Sequence, residues 1–235
     1  GGPLPPIEYR AKTGSGLLTG QIDRVDTYEV DGRRYFRIID YKTGHKDFDY
    51  AELLYGKNLQ MLLYLFALES YQRRAGTPMQ PAGVLYVPGR CDMVKLKPGE
   101  DPAQAGPERQ KDLRRKGLLL NDEAILHAME AYEKKPQYLP FAPGPDGLIG
   151  DLASPAQLAK LERFVNGQVE AMIDEILSGA TAPNPIDRGP SDSECKYCDF
   201  SSACHKDVCS VNARRFASVT PEEFWQALER RLEHG

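Results

Sequence analysis

Residues Arg37 to Gly44 read RIIDYKTG. The two isoleucines have the character of a buried strand, and the run then breaks into Asp40, Tyr41 and Lys42. Side chains two apart on a strand share a face, so a carboxylate and an ammonium leave the core together. Alternating charge at a strand end often does no more than solvate an edge. The upstream residues give it another meaning. GQIDRVDTYEV, Gly20 to Val30, has strand composition with a second carboxylate, Asp23, in its interior, and Asp31-Gly32 follows, a strong signal for a two-residue hairpin turn. With Val30 and Arg33 flanking that turn, counting outward sets Asp23 opposite Asp40, their Cβ atoms roughly 5 Å apart.

Two carboxylates facing each other on a half-buried sheet repel, and a cation between them removes the penalty. Carboxylate oxygens completed by water suit Mg²⁺ or Mn²⁺. Lys42, on the same face, can hold a water or a phosphate oxygen and counter charge that develops during attack on phosphorus. In outline this is a metal-assisted phosphodiester hydrolysis site.

The 235-residue chain is 41% apolar and 27% charged, a globular composition. It contains no run of about 18 apolar residues, so no membrane span is expected. No secretory signal is recognisable and the expected location is the cytoplasm; the Gly-Gly start reads as a cloning remnant or a cut inside a longer protein. A formal net charge of −4 is not that of a dedicated DNA-binding domain. Basic clusters at Arg33-Arg34, Arg73-Arg74, Lys111 with Arg114-Arg115-Lys116, and Arg214-Arg215 read as solvated surface. DNA would then be delivered by a larger machine. The Walker pattern GxxxxGK[ST] is absent, so ATP hydrolysis by that route is not expected of these residues.

Beyond the hairpin, spanning 16–42, a single helix is expected from Tyr50 to Arg74, apolar nearly all round between Leu59 and Leu68 and therefore buried. Gln60 and Tyr64, four apart on it, share a face. They suit either a hydrogen-bonded pair within the core or a pair that orients phosphate or water at the metal site. Pro81–Gly89 and Asp92–Gly99 look like strands, 100–118 like a polar loop, Asp122–Lys134 like a helix, and PFAPGPDGLIG like an irregular stretch. Ser154 is a candidate N-cap for a long helix to about Leu177, and Thr220, Pro221 and Glu223 form a capping signature near the C-terminus. Together these make an α/β domain with a mixed sheet.

CKYCDFSSACHKDVC carries Cys195, Cys198, Cys204 and Cys209. In a chain with no secretory signal, this spacing points to a metal or iron–sulfur site rather than to disulfides. Zinc and iron–sulfur clusters both need four ligands, and Cys209 or His205 could supply the last. Cys91 reads as an ordinary buried thiol; His45, His127 and His234 show no ligand spacing.

The order GQIDRVD, DYKTG, LQMLLY, CKYCDFSSAC resembles the RecB-type branch of the PD-(D/E)XK nucleases, in its AddB-type group, over about residues 16–207. The resemblance implies a restriction-endonuclease-like fold, a mixed central sheet flanked by helices. It divides the chain into an N-terminally truncated nuclease core, 1–187, and a cysteine-rich segment with a C-terminal helix, 188–235. It also implies a divalent-metal-dependent deoxyribonuclease working as an exonuclease beside an AddA-like helicase subunit in double-strand-break repair. Asp23, Asp40 and the Tyr41 carbonyl would hold Mg²⁺ or Mn²⁺, Lys42 would be the catalytic lysine, and Gln60 and Tyr64 would form the QxxxY motif near the DNA backbone. Cys195, Cys198 and Cys204 would hold three corners of a [4Fe–4S] cluster; relatives place the fourth cysteine, and often a histidine near the metal, upstream of the first strand. Arg24 and Asp26 match the family's IDRxD pattern and read as a structural ion pair. A stand-alone iron–sulfur nuclease of the CRISPR-adaptation type and a scaffold domain that has lost activity are the alternative readings.

Overall fold

The computed structural model describes residues 5–90, 101, 105–189, 194–204 and 213–234. Strands β1 (Ile7–Arg10) and β2 (Ser15–Leu18) pair antiparallel ahead of the expected hairpin. The hairpin is β3 (Arg24–Val30) and β4 (Arg33–Lys42). Asp31 and Gly32 take φ of 50° and 70°, the left-handed pair that a two-residue turn demands, and glycine meets that demand without steric cost. The register matches the count from the turn: Val30 faces Arg33, and the pairing runs back to Arg24 facing Ile39. Asp23 lies one residue before β3 rather than inside it.

The expected helix over 50–74 is two helices, α1 (Tyr50–Leu54) and α2 (Gln60–Arg74). The chain reverses between them, where Gly56 and Asn58 both adopt positive φ. Asp49 caps α1 through the N–H groups of Ala51 and Glu52. Next come β5 (Gln80–Pro88), α3 (Ala105–Asp112) and β6 (Lys116–Leu120). The polar loop expected at 100–118 thus contains a helix and the start of a strand. The strand was hard to see because KGLLL is buried on both faces and lacks alternation. The strand expected at 92–99 lies outside the described residues.

Helix α4 (Glu123–Met129) stops short of the expected Lys134. The Glu130 carboxylate accepts the N–H groups of Gln137, Tyr138 and Leu139, which turns the chain out of the helix. The proline- and glycine-rich stretch is ordered as a hairpin, β7 (Phe141–Gly144) and β8 (Gly147–Gly150). Short β9 (Leu152–Ala153) leads into α5 (Pro155–Leu177). The remaining elements are β10 (Ile186–Asp187), α6 (Ser201–Cys204), β11 (Arg214–Arg215) and α7 (Pro221–His234).

The central sheet runs β3-β4-β5-β6-β9 and is mixed: β4 and β5 are parallel, as are β6 and β9, and the other pairs are antiparallel. Strand β4 is buried on both sides, which is why Ile38 and Ile39 sit consecutively. Ile38 joins Phe36, Val84 and Leu118 on the face covered by α2, α5 and α7. Ile39 joins Leu85 and Leu119 on the opposite face, under Leu126 and Phe141. Phe224 and Leu228 of α7 are fully buried in the first of these clusters. Each such side chain contributes about 1.5–3 kcal/mol.

Helix α5 has a complete capping box: Ser154 Oγ accepts from Gln157 N–H at 3.2 Å, and Gln157 Oε1 accepts from Ser154 N–H at 2.8 Å. Thr220 and Glu223 make the same reciprocal pair at α7. Ser154→Ala is expected to cost about 1 kcal/mol, a fall of about 2–4 °C in melting temperature for a chain of this size by calorimetry.

Candidate active site

Strand β4 alternates Phe36, Ile38 and Asp40 toward the larger core, so the chain's inward face ends in a carboxylate. Asp40 is 8% exposed and is the one charged residue that is buried among those described. Its neighbour on parallel β5 is Tyr86. Burial, aided by the Asp40 and Glu52 charges, pushes the Tyr86 phenol up to about 12. Lys42 Nζ lies 2.7 Å from Asp40 Oδ2 and 6.0 Å from the centre of the Tyr86 ring. Asp40 Oδ2 is buried, and the Lys42 ammonium meets its charge.

Asp23 reaches the same region from the other strand. The Tyr41 N–H donates to Asp23 Oδ2 at 3.1 Å, which fastens this exposed carboxylate to β4 one step past the last register pair. Tyr64 is half-buried and packs its phenol over Gly20; a Cβ there would stand 2.4 Å from the hydroxyl, so any larger residue at this position would push the Tyr64 ring aside. Gln60 Nε2 donates to Tyr64 Oη at 3.2 Å. Gln60 is exposed, so the pair is not a core hydrogen bond but opens to solvent beside the Gly20–Asp23 approach.

The site therefore offers two carboxylates and main-chain oxygen. A buried carboxylate is costly in an apolar surrounding unless opposite charge offsets it; Lys42 offsets part of the Asp40 charge here, and carboxylate oxygens suit a divalent cation. Among the described residues no three His, Cys, Asp or Glu side chains converge, so a cation here would take the remainder of its oxygens from main chain, water and substrate.

A family model of the PD-(D/E)XK nuclease superfamily matches residues 3–205. The chain belongs to the PD-(D/E)XK nuclease superfamily. It is 34% identical over 239 residues, 99% of its length, to the AddB subunit of the ATP-dependent helicase/deoxyribonuclease of Clostridium acetobutylicum. The same figure, 34%, holds over 88% of the chain for the corresponding subunit from Acetivibrio thermocellus, and over 92% for that from Desulforudis audaxviator. The chain spans 18–21% of the length of these curated relatives.

The opposite face of the nuclease hairpin carries the ion network read from the IDRxD pattern. Arg24 Nε donates to Asp26 Oδ1 at 2.6 Å, Arg37 donates to Asp26 Oδ2 at 2.9 and 3.0 Å, and Arg24 reaches the Tyr41 hydroxyl at 3.2 Å. Partial burial would raise the Asp26 carboxyl, but the hydrogen bonds from Arg24 and Arg37 outweigh it and hold the group below the usual carboxylate range. These residues brace the hairpin from the side away from Asp40.

Sequence reasoning missed Tyr86, although its strand was recognisable; alternation along VLYV would have put it on the Asp40 face. Lys111, Arg114 and Lys116, read as solvated surface, are indeed exposed, and all three also line the cleft that Lys42 enters. Cys195 and Cys204 are half-buried and Cys198 is exposed, none in a disulfide, on consecutive tight turns. The donor type suits thiolate ligation, which takes four ligands, but among the described residues the three thiols do not converge into a group that could hold a metal. Cys91, Cys209 and His205 lie outside the described residues.

A carboxyl depressed by folding stabilises the protein above its unfolded pKa, and that contribution disappears as pH falls through the lower folded value. Asp26→Asn is therefore expected to lower the melting temperature at pH 7. The gap to wild type should close as pH drops below the ordinary carboxyl value of 3.8. Thermal melts across pH 2.5–7, bracketing that range by roughly 1–3 pH units, measure it.

Proposed function

We propose that the chain is a divalent-metal-dependent deoxyribonuclease module that hydrolyses phosphodiester bonds in a DNA strand. Asp40 carries this reading: a buried carboxylate at a strand end, an ammonium 2.7 Å away, and a second carboxylate tied to the adjacent main chain. Asp23, Asp40 and the Tyr41 carbonyl would hold Mg²⁺ or Mn²⁺. Bound there, the metal supplies Lewis acidity and an acidified water.

Lys42 sits where it can donate to a phosphate oxygen and stabilise the negative charge that grows on it. Tyr86, kept neutral far above physiological pH, closes the inner wall without adding charge. Gln60 presents an exposed amide steadied by Tyr64, suited to orienting the DNA backbone. The relatives' name, helicase/deoxyribonuclease, supports a chain that cuts DNA beside a helicase partner; in this reading it is an exonuclease acting on strands delivered by an AddA-like subunit during double-strand-break repair. Cys195, Cys198 and Cys204 would give three thiolates to a [4Fe–4S] cluster, the fourth coming from elsewhere in the protein.

Calorimetric titration of Mn²⁺ and Mg²⁺, with degradation of single-stranded DNA measured on the same samples, tests the site. Asp40→Ala is expected to lose metal binding and at least about 100-fold in cleavage. Lys42→Ala should retain the metal while losing cleavage by a similar factor. Metal-independent cutting, or an Asp40→Ala variant as active as wild type, would overturn the proposal. For the cluster, iron and acid-labile sulfide in anaerobically purified protein are expected to fall together in Cys198→Ala.

A further inference from the structure

The C-terminal ends of parallel strands β4 and β5 open into a cleft of about 280 Å³. Lys42 and Tyr86 form its inner wall, so it begins at the candidate cutting site and runs outward toward α3 and β6. Open α/β sheets commonly take ligands at the carboxyl ends of parallel strands. The lining has an unusual charge for this chain. Six cationic side chains contribute: Lys42, Lys46, Arg90, Lys111, Arg114 and Lys116. In the same lining Asp47 and Asp112 oppose them. The chain as a whole is acidic, with 34 Asp and Glu against 30 Lys and Arg. The charge balance is thus inverted locally, in a concave site where field lines concentrate.

Several of these cations are held in place by the fold. Arg114 donates from Nη2 to the Phe141 carbonyl at 3.1 Å, which fixes its guanidinium at the rim. Lys46 donates to the Asn58 side chain and so ties the loop after β4 to the turn between α1 and α2. Lys116 pairs with Asp47 at 3.0 Å, an exposed contact worth little in water. Lys111 is exposed. Positive heads gathered along one cleft, two of them anchored through neutral oxygens, suit a polyanion better than they suit protein stability.

We propose that this cleft is a phosphate track: Lys46, Arg90, Lys111, Arg114 and Lys116 bind the sugar–phosphate backbone of single-stranded DNA on one side of the bond presented to Asp40 and Lys42. The proposal rests on the nuclease reading for its ligand but not for its test. The track contributes binding rather than chemistry. It acts on charge, so it holds any sequence and is weakened by salt.

The experiment measures binding of a fluorescein-labelled oligothymidylate, about 12 nucleotides long, by anisotropy in EDTA, where no cleavage occurs. Salt is varied between about 50 and 200 mM. The Lys111→Gln/Lys116→Gln double variant is expected to bind about tenfold more weakly, with a log–log salt slope shallower by about 1.4, close to 0.7 for each single-strand phosphate it no longer neutralises. Arg33→Gln/Arg34→Gln, an equal change in charge at the hairpin turn, should leave affinity and slope near wild type. Three results overturn the track: no binding by wild type, no effect of the cleft variant, or equal effects of both variants, which would mean diffuse attraction only. Failure of metal-dependent cleavage with this binding pattern intact would reject the proposed chemistry and leave the track standing.

Discussion

Two residues with left-handed backbone set the geometry of the whole site. Asp31 and Gly32 admit a tight turn of one kind, and its twist fixes which residue of β3 meets which residue of β4. A slip of one residue would send every side chain of β4 to the other face. Ile38 and Ile39 would exchange cores, and Asp40 would leave the α2 side altogether. The apolar packing on both faces thus enforces the same register that brings Asp23 and Asp40 to one end of the hairpin.

That register places a carboxylate where an apolar side chain would be expected. Asp40 continues the inward row of Phe36 and Ile38, and removing an ionised group from water is expensive unless an opposite charge or a ligand offsets it. Lys42 supplies part of the offset from the same strand. Sites for chemistry are often places where local packing rules are broken. Here the departure is confined to the last residues of one strand, with the Asp26 network bracing its far side.

The hairpin, its register and the caps at Ser154 and Thr220 were legible because each is written in neighbouring residues. What was not legible depended on distance or on double burial. KGLLL has no alternation because both of its faces are covered. The run 50–74 looks like one helix because two residues of left-handed backbone, Gly56 and Asn58, carry the whole break, and Asn is no strong signal inside an otherwise helical stretch. The shortness of α4 follows from Glu130 capturing three N–H groups seven to nine residues away, which no local propensity encodes. That Asp23, Asp40 and Lys42 come to one face at one end of the hairpin could be read from spacing. The arrival of Lys111, Arg114 and Lys116 in one cleft with Lys42 could not, since it needs the tertiary path of β5 and β6.

The cysteine segment has a closed base. Strands β10 and β11 pair in parallel on either side of it, and Tyr55, in the turn between α1 and α2, donates to the Arg215 carbonyl and accepts the Ala217 N–H. Arg188 ion-pairs with Glu52 and lies 4.0 Å over the Phe216 ring. Cys195, Cys198 and Cys204 therefore belong to a tethered loop rather than to a free tail, and the entropy lost in gathering the thiols is reduced to that of a chain whose ends are already together. The knot at its base is tied to the turn from which α2 starts. Any pull on the loop is thus carried first by α1 and the turn that ends it, through Glu52 and Tyr55.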